Sequence, residues 1–466
     1  MASTGLDDKV NGVFGAPGAD VLRLSMANSG TYPLWHAFTD DIGVDRPPLR
    51  IVAGYGPWLR TDGGRRLLNG FSGLSAICGL RHPAIDAAVR QQLATLSTCS
   101  LFRMTHPGAE QLGQALVDLC FGGQGRALLL NSGAETVEAA VKAARAYHAL
   151  RAAPRRRVVF TFHRSYHGSS LGTMGLSGIH SADERRLYGA DHPDLVTVSG
   201  PMAGDCPRCG PGPCHDACLD ALVAAIDEVG AERAAAVVVE PVFAAGGVIE
   251  PAPAFFHRLR AVCDATGMLL ICDESATGLG RTGTMLGAHR TGLRPDAVVL
   301  AKALSGGYLP LGALVVAPHV VAPFLDQGVA FPHGSSSSGN PLAIAAALAT
   351  LDTIWQDDYP GRAATLGTEL AERLAFLADH ELVRQVRVVG LMCAVELNVS
   401  GGGSRPSAPT ALRVNAELID AGLITHVKRD RVAFFPPINI DSEHIEIAVD
   451  AFGTAFGNLG RESQCH

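Results

Sequence analysis

The sequence predicts an α/β protein with a mostly parallel central sheet and a smaller second domain. Short apolar runs alternate with helical stretches between about residues 85 and 345, and these runs are apolar throughout. Continuous apolar runs are typical of strands covered on both faces, and alternation with helices favours parallel pairing. The chain of 466 residues also exceeds one ordinary core. The predicted strands are 126–130, 157–160, 235–240, 268–274, 296–300 and 312–316.

Three segments follow from this pattern. Residues 85–345 form the predicted large domain, and residues 346–466 a C-terminal small domain with amphipathic helices and two or three strands. The N-terminal segment, 1–84, is expected to contribute to the small domain and to the substrate entrance. A stretch rich in Gly, Ser and Pro, 400–409, predicts a flexible loop.

Composition argues against two classes of partner. The formal net charge is −7 and no long basic run occurs, so nucleic acid is not expected as the main partner. The longest uncharged run, 303–325, is interrupted by glycines and prolines, so no membrane span is expected. The first residues lack an apolar stretch typical of signal peptides. We therefore expect a cytoplasmic protein whose cysteines are mostly reduced.

Chemically active side chains stand directly after the predicted strands. In open α/β sheets such positions meet at the carboxyl edge, where ligands bind. Glu240 and Asp273 stand at the carboxyl ends of predicted strands, Ser132 and Lys302 stand two residues beyond such ends, and Tyr166 lies in the loop after the strand 157–160. The sequence therefore places an anion site, an aromatic ring, carboxylates and an amine at one edge.

Ser132 to Glu135 fits the Ser-x-x-Glu capping box and starts a predicted helix. Gly133 and Ala134 leave the first-turn amides open, and the helix dipole favours an anion there. The pattern predicts either a phosphate site or an ordinary helix start.

Asp273 and Lys302 each raise a question of charge in an apolar setting. A buried carboxylate needs a partner, which is either the protonated ring nitrogen of a cofactor or Arg281. Lys302 is one of four lysines among 38 basic residues, and it ends an apolar run. A primary amine forms a Schiff base, which a guanidinium cannot, and partial burial favours the nucleophilic form of an amine. The alternative is a surface lysine whose stem lies along apolar residues.

A phosphate site, a partner for a ring cation and an amine that attacks an aldehyde together describe pyridoxal phosphate. Tyr166 would lie on the face of its ring, unless it is only a packing aromatic.

Several strings of the chain resemble one family over nearly its whole length. They include "NSGAETVEAAVKAAR", "YHG", "VVVEPV", "CDATGMLLICDESATGLGRTG", "DAVVLAKALSGGYLPLGA" and "HGSSSSGNPLA", in the order and spacing of that family. The chain is similar to the class III, or ω-type, aminotransferases of fold type I, which use pyridoxal phosphate. "LWHAFT" and "ATG" are similar to the diaminopelargonate branch.

The resemblance implies roles for the residues at the sheet edge. Lys302 would be the Schiff-base lysine and proton shuttle, and Asp273 would pair with the pyridine nitrogen. The residues implied to hold the phosphate are Ser132, Gly133 and Ala134.

The resemblance also implies three further site residues and an assembly. Tyr166 would stack on the ring, and Glu240 would be the active-site acid of the "EP" motif. Ser336 stands where the family usually has a Thr that reaches the phosphate across a dimer interface. A homodimer with shared active sites is therefore expected.

Several positions depart from the family, and these departures bear on which substrate is recognised rather than on cofactor binding. Ser275 stands where Val or Ile usually packs under the ring, and Ala276 stands where many members have Gln. Phe243 and Ala244 replace the usual Gln-Gly after "EPV".

The most informative departure is a missing arginine. Many family members bind a substrate carboxylate with an Arg at the position that here holds Ala433, and the diaminopelargonate branch has its Arg near the position of His426. Phe434 and Phe435 adjoin the first position, and Phe243 is expected to approach it. We therefore predict an aldehyde or ketone acceptor without a carboxylate beside the reacting carbon. Candidates are an ω-aldehyde, the oxidised (carbonyl) form of an amino sugar or aminocyclitol, and an amine-derived carbonyl from a biosynthetic pathway. The alternative is that a nearby cation supplies the missing charge, the candidates being Lys428, Arg429 and Arg431.

The predicted partners are thus a small-molecule amino donor and a carbonyl acceptor. A second hypothesis is an aminomutase or epimerase on the same scaffold. Because both Lys302 and Asp273 are present, a non-enzymatic protein is not expected.

Four cysteines, Cys206, Cys209, Cys214 and Cys218, occur within one short segment with the spacing C-x2-C-x4-C-x3-C. Such thiolates can hold a structural zinc ion. The second pair is imperfect, so reduced or disulfide-linked cysteines are preferred, no metal ligand is assigned, and the zinc site stays an open alternative.

Overall fold

The computed structural model describes residues 34–38, 48–202, 206–210, 212–398, 408–428 and 430–463. Of the loop predicted at 400–409, only the last two residues are described, and they begin a helix. No helix in these parts of the chain is both long and apolar enough to cross a membrane. The uncharged run 303–325 instead contains a strand and most of a helix, with Pro323 inside that helix.

The elements follow in chain order. The strands are β1 (Ile51–Tyr55), β2 (Trp58–Thr61), β3 (Arg66–Asn69), β4 (Arg126–Leu130), β5 (Val158–Phe162), β6 (Leu195–Val198), β7 (Ala234–Val239), β8 (Leu269–Asp273), β9 (Ala297–Leu300), β10 (Gly312–Val316), β11 (Val383–Val389), β12 (Met392–Leu397), β13 (Leu423–Ile424), β14 (His426–Lys428) and β15 (Arg431–Phe434). The α-helices are α1 (Pro83–Thr95), α2 (Pro107–Phe121), α3 (Gly133–Leu150), α4 (Leu171–Met174), α5 (Ala182–Leu187), α6 (Asp220–Val229), α7 (Pro253–Thr266), α8 (Gly287–Thr291), α9 (Pro318–Asp326), α10 (Pro341–Gln356), α11 (Tyr359–Arg373), α12 (Ala408–Asp420) and α13 (Ser442–Ser463).

A seven-stranded sheet lies at the centre of the described structure, in the order β4-β10-β9-β8-β7-β5-β6. Its neighbours pair in parallel except at β10, which runs antiparallel to both β4 and β9. The predicted α/β class with a mostly parallel sheet is confirmed. All six predicted strands are present with bounds shifted by at most two residues.

The edge strand β6 was not predicted. Three of its four residues, "LVT", are half-buried, because only β5 pairs with it. A short, partly exposed run does not show the continuous apolar pattern of a central strand.

Helices cover both faces of this sheet. Alternate residues of β7 and β8 enter two different clusters of buried side chains, as expected for strands covered on both sides. Helix α3 packs across β7 to β10 with a buried apolar face that includes Val137, Ala140, Val141 and Ala144. The cluster on the other face includes residues of α2 and α7.

Two smaller sheets accompany the central sheet. The first has the order β1-β2-β3-β13 and the second β11-β12-β15-β14, with antiparallel pairing throughout the second. In the first sheet β13 adds in parallel to β3, with Leu423 opposite Leu68. Residues from both ends of the chain thus share one sheet, as predicted for the smaller unit. The boundaries at 84 and 345 stay a prediction.

Candidate active site

A cavity of about 430 Å³ lies at the carboxyl ends of the central strands. Polar side chains that follow β4, β5, β8 and β9 meet there, as the connection rule for parallel sheets requires. Glu240 and Ser336 are not among its lining residues. The predicted residues that line it are Ser132, Gly133, Ala134, Tyr166, Asp273 and Lys302.

Lys302 follows β9 and has a strained backbone. Its φ is 45°, in the left-handed region that residues with a Cβ rarely adopt. Such strain costs about 1–3 kcal/mol and clusters at functional sites. The residue is half-buried and lines the cavity, which does not favour a surface lysine.

Asp273, at the end of β8, is paired with a histidine. The His167 Nδ1 donates to Asp273 Oδ2 at 2.8 Å, and the Ser275 amide donates to Oδ1 at 3.0 Å. Burial alone would raise the pKa of Asp273, but His167 and the nearby Lys302 outweigh it and hold that pKa below its usual value. The buried carboxylate is therefore ionised at neutral pH.

The alternative partner, Arg281, is wrong. Its guanidinium donates to the carbonyl oxygens of Gly73, Leu391 and Pro436, at 2.6, 3.1 and 2.6 Å. His167 was not singled out in the sequence, although "YHG" places it beside Tyr166. A histidine following one strand, close to a carboxylate that ends a neighbouring strand, was the available signal.

Glu240 follows β7 and bonds the backbone of the tyrosine loop, the segment 163–170 that contains Tyr166. Its carboxylate accepts from the amide of Tyr166 at 2.9 Å and from that of Ala244 at 3.3 Å. Burial raises the pKa of Glu240 to about 7 against the opposing charge of His167. The contacts describe a carboxyl group that positions Tyr166 rather than one that faces the cavity.

The start of α3 forms the predicted anion-attracting end. Ser132 Oγ caps the helix by accepting from the Glu135 amide at 3.2 Å. The capping box is not complete, because its second hydrogen bond would join the Glu135 carboxylate to the Ser132 amide. The Glu135 carboxylate instead accepts from the amide of Asn131, one residue earlier, at 2.9 Å. Gly133 and Ala134 occupy the first two helical positions, where amides have no acceptor within the helix.

Ser336 lies in an exposed loop beside this helix start. Its neighbour Ser335 accepts from Asn131 Nδ2 at 2.7 Å, which ties the loop to a residue that lines the cavity. Ser336 itself is exposed within the single chain. Its role across a dimer interface stays a prediction.

The two positions that lack an arginine lie next to each other. His426 on β14 stands directly opposite Ala433 on β15. Ala433 is buried in an apolar cluster that also contains Ala244, beside Glu240, and Ala276, which follows the cavity-lining Ser275. The whole cluster comprises Val242, Ala244, Val248, Ala276, Val389, Met392, Ala394, Ala433 and Phe435.

His426 is uncharged at neutral pH. Burial lowers its pKa to about 4, with further contributions from Lys428 and Arg431. Its ring lies against Phe71, with the ring centroids 5.1 Å apart. Neither position therefore offers a positive charge.

Two of the three predicted aromatic neighbours face elsewhere. Phe435 joins the apolar cluster with Ala433, but Phe434 packs into the main core against Phe452. Phe243 also faces the main core, against Phe162. Successive residues of a strand point to opposite faces, so two adjoining phenylalanines could not both reach the cluster.

The candidate replacement cations differ in position. Arg431 donates to the carbonyl oxygens of Ala245 and Gly246 and pairs with Asp430 at 2.7 Å. Lys428 Nζ lies 5.3 Å from the ring centroid of Tyr166. Arg429 lies outside the described residues.

The cavity fits pyridoxal phosphate. It presents helix-start amides for a phosphate, an ionised buried carboxylate for a ring cation and a primary amine for an aldehyde. In addition, His167 Nε2 and Ser275 Oγ are buried without a hydrogen-bond partner in the described parts of the chain, so polar capacity remains for a bound group.

Comparison with known proteins agrees with this arrangement. A profile described as "Aminotransferase class-III" matches residues 41–456. The chain is 34% identical to an omega-aminotransferase of Caulobacter vibrioides, with 91% of this chain and 97% of the relative covered. It is 35% identical to adenosylmethionine-8-amino-7-oxononanoate aminotransferase of Nitratidesulfovibrio vulgaris, with 89% and 78% covered.

Solved structures give the same result. An amine transaminase from an uncultivated Pseudomonas species, solved with pyridoxal phosphate bound, superposes with a TM-score of 0.86 at 31% identity, covering 92% of this chain and 99% of the other. These relatives give no support to the aminomutase or epimerase alternative. The chain belongs to the class III aminotransferases, enzymes that depend on pyridoxal phosphate and transfer an amino group from a small-molecule donor to a carbonyl acceptor.

Proposed function

We propose that this aminotransferase binds its cofactor in the cavity beside Lys302 and accepts carbonyl substrates that lack a carboxylate next to the reacting carbon. When bound, pyridoxal phosphate supplies the electron sink for the transfer. Gly133 and Ala134 would donate their amides to the phosphate, and Ser132 caps the same helix start. Asp273 would stabilise positive charge on the ring nitrogen.

The remaining chemistry belongs to side chains of the chain. Lys302 Nζ would hold the cofactor covalently, and the same amine is placed to move the proton that leaves the substrate carbon. His167 orients the Asp273 carboxylate through its Nδ1. Glu240 fixes the backbone at Tyr166, so we assign it a positioning role rather than the acid role that the resemblance implies.

One observation carries the substrate proposal: an apolar cluster surrounds Ala433, and the facing His426 is neutral. A carboxylate moved from water into such surroundings without a partner loses several kcal/mol of solvation. A hydrocarbon or weakly polar substituent loses nothing comparable and gains from burial. One solved structure similar to this chain is named an amine transaminase, which agrees with a substrate without that carboxylate.

Steady-state kinetics test the proposal. We expect kcat/KM for a carboxylate-free aldehyde, such as an ω-aldehyde, to exceed that for pyruvate. Pyruvate ahead of every carboxylate-free carbonyl by orders of magnitude would contradict it.

A second candidate specificity rests on Lys428. Its ammonium lies 5.3 Å from the ring of Tyr166, which lines the cavity, and would provide a single point charge for a carboxylate. A relative of this chain from Pseudomonas putida, 30% identical, is named omega-amino acid–pyruvate aminotransferase, which favours an α-keto acid. If this candidate is right, Lys428→Met lowers kcat/KM for pyruvate but not for a neutral aldehyde. Equal effects on both substrates, or none, would exclude it.

We also propose a homodimer in which Ser336 reaches the phosphate bound by the partner. The support is the exposed Ser336 in a loop fixed beside the phosphate site, together with two exposed apolar side chains nearby, Phe102 and Met104. Phe102 lies against Gly334 of the same loop. An apolar patch of this kind is typical of an interface.

Light scattering during gel filtration measures the assembly. We expect twice the chain mass of 48.6 kDa, and we expect Ser336→Ala to weaken cofactor binding without changing that mass. A fully active monomer at assay concentration would contradict the proposal.

A further inference from the structure

Four cysteine side chains converge in the segment between β6 and α6, and none of them lines the cavity. The Sγ atoms of Cys206, Cys209, Cys214 and Cys218 all lie within 4.8 Å of one another. Cys218 Sγ lies 3.2 Å from Cys209 Sγ and 3.4 Å from Cys206 Sγ. No other group of three or more metal-ligating side chains is found in the described parts of the chain.

These separations match one geometry and exclude two others. A disulfide holds its sulfurs at about 2.0 Å, so the observed sulfurs are not bonded to each other. An iron–sulfur cluster distributes its thiolates over several irons, which spreads them more widely than a single ion does. Four thiolates around one ion at about 2.3 Å are about 3.8 Å apart, within the observed range.

We propose that Cys206, Cys209, Cys214 and Cys218 bind one structural zinc ion. Four soft sulfur donors without an open position are the ligand set of a closed zinc site, and no ligand is left for catalysis. The distances between the sulfurs thus favour the zinc site, which the sequence left as an open alternative, over the reduced or disulfide-linked cysteines that the spacing favoured.

The surrounding backbone supports the thiolates. The Met202 amide donates to Cys214 Sγ at 3.2 Å, and the His215 amide donates to Cys209 Sγ at 3.4 Å. Such donors orient metal-bound ligands and stabilise their charge. Cys206 and Gly210 pair through both backbone groups in a tight turn, and the φ of 75° at Gly210 suits glycine.

The site would hold an edge of the large sheet. The Ala252 amide, just before α7, donates to the Cys214 carbonyl at 2.8 Å, and Arg258 of α7 bonds the Asp216 carbonyl at 2.7 Å. The ion would therefore tie the segment after β6 to α6 and α7. Since β6 is the edge strand and pairs only with β5, the ion would brace that edge of the sheet.

Metal analysis of the purified holoenzyme tests the assignment. We expect one zinc ion per chain by mass spectrometry of the metal content. Cys209→Ser, a change at the half-buried ligand, should abolish zinc and lower Tm, while Cys99→Ser, a half-buried cysteine outside the cluster, should leave both unchanged. Cobalt added as its chloride to zinc-stripped protein should give the visible bands of tetrahedral thiolate coordination.

Other outcomes would overturn the proposal. They are wild-type protein with no metal and four freely titrating thiols, protein with a disulfide detected by mass, and protein with iron in place of zinc. The metal content of the wild-type protein tests the assignment even if the Cys209→Ser variant fails to fold.

Discussion

Replacing His426 by arginine should create a preference for α-keto acids. The neutral His426 ring stands opposite the buried Ala433, and neither of these two residues carries a positive charge. An arginine there would offer two parallel donors to a carboxylate, in the geometry that carboxylate recognition favours. His426 is the better position for the change, because it is half-buried whereas Ala433 is only 4% exposed in an apolar cluster.

The size of the effect follows from the surroundings. A hydrogen bond to a charged group contributes about 1.5–3 kcal/mol. At 1.36 kcal/mol per factor of ten, this corresponds to about a 10- to 150-fold gain in kcat/KM for pyruvate. Repulsion from Lys428 and Arg431, which already help to lower the pKa of His426, places the expectation at the lower end.

Half-reactions measured by the absorbance of the cofactor give this quantity directly. The control is His426→Gln, which removes the ring without adding charge and should leave the ratio of pyruvate to aldehyde kcat/KM unchanged. An unchanged ratio in His426→Arg, with Tm and cofactor content preserved, would refute the idea that the missing charge decides specificity.

Three further predictions concern the cofactor site and stability. Lys302→Arg should keep the fold yet lose turnover, because a guanidinium forms no imine, and borohydride followed by peptide mapping should label Lys302 in the wild type; a label on another lysine would contradict this. Gly168→Ala should weaken cofactor binding, because the new Cβ would stand 2.7 Å from the Cβ of Ala134 and the backbone at Gly168 has a φ of 125°. Gly189→Ala is the control for backbone strain alone, because Gly189 has a φ of 67° and open space around it. Equal effects of the two changes would exclude the steric explanation. Because the pKa of His426 is lowered in the folded state, the folded protein binds fewer protons than the unfolded chain between pH 6.5 and 4. The free energy of unfolding should therefore decrease by up to about 3 kcal/mol as pH falls through this range. Denaturation of His426→Gln should show a smaller decrease.

The central strands could be predicted because they are buried on both faces and are therefore apolar without interruption. The edge strand β6 could not be predicted, because only β5 pairs with it and three of its four residues are half-buried. The faces of Phe243 and Phe434 depend on strand phase, which a single run of letters does not specify. The domain boundaries and a cytoplasmic location stay predictions.

The candidate site was predictable wherever chemistry coincided with a strand end. Asp273 and Lys302 stand out because a charge directly after an apolar run needs a reason. His167 does not stand out, since its partner Asp273 is 106 residues away and only the sheet brings them together. The shift of the Glu135 contact from Ser132 to Asn131 is likewise a matter of side-chain reach rather than of spacing.

The scarcity of lysine acquires a physical meaning from the contacts of arginine. Arg281 joins the carbonyl oxygens of Gly73, Leu391 and Pro436, which come from three distant parts of the chain. A planar guanidinium with fixed donors suits such ties, while a flexible ammonium holds its donors in no fixed pattern. A guanidinium, however, stays protonated and cannot act as a nucleophile. In a chain that makes its structural ties with arginine, a strained, half-buried lysine at the end of a central strand is explained by its reactivity, and Lys302 meets that description.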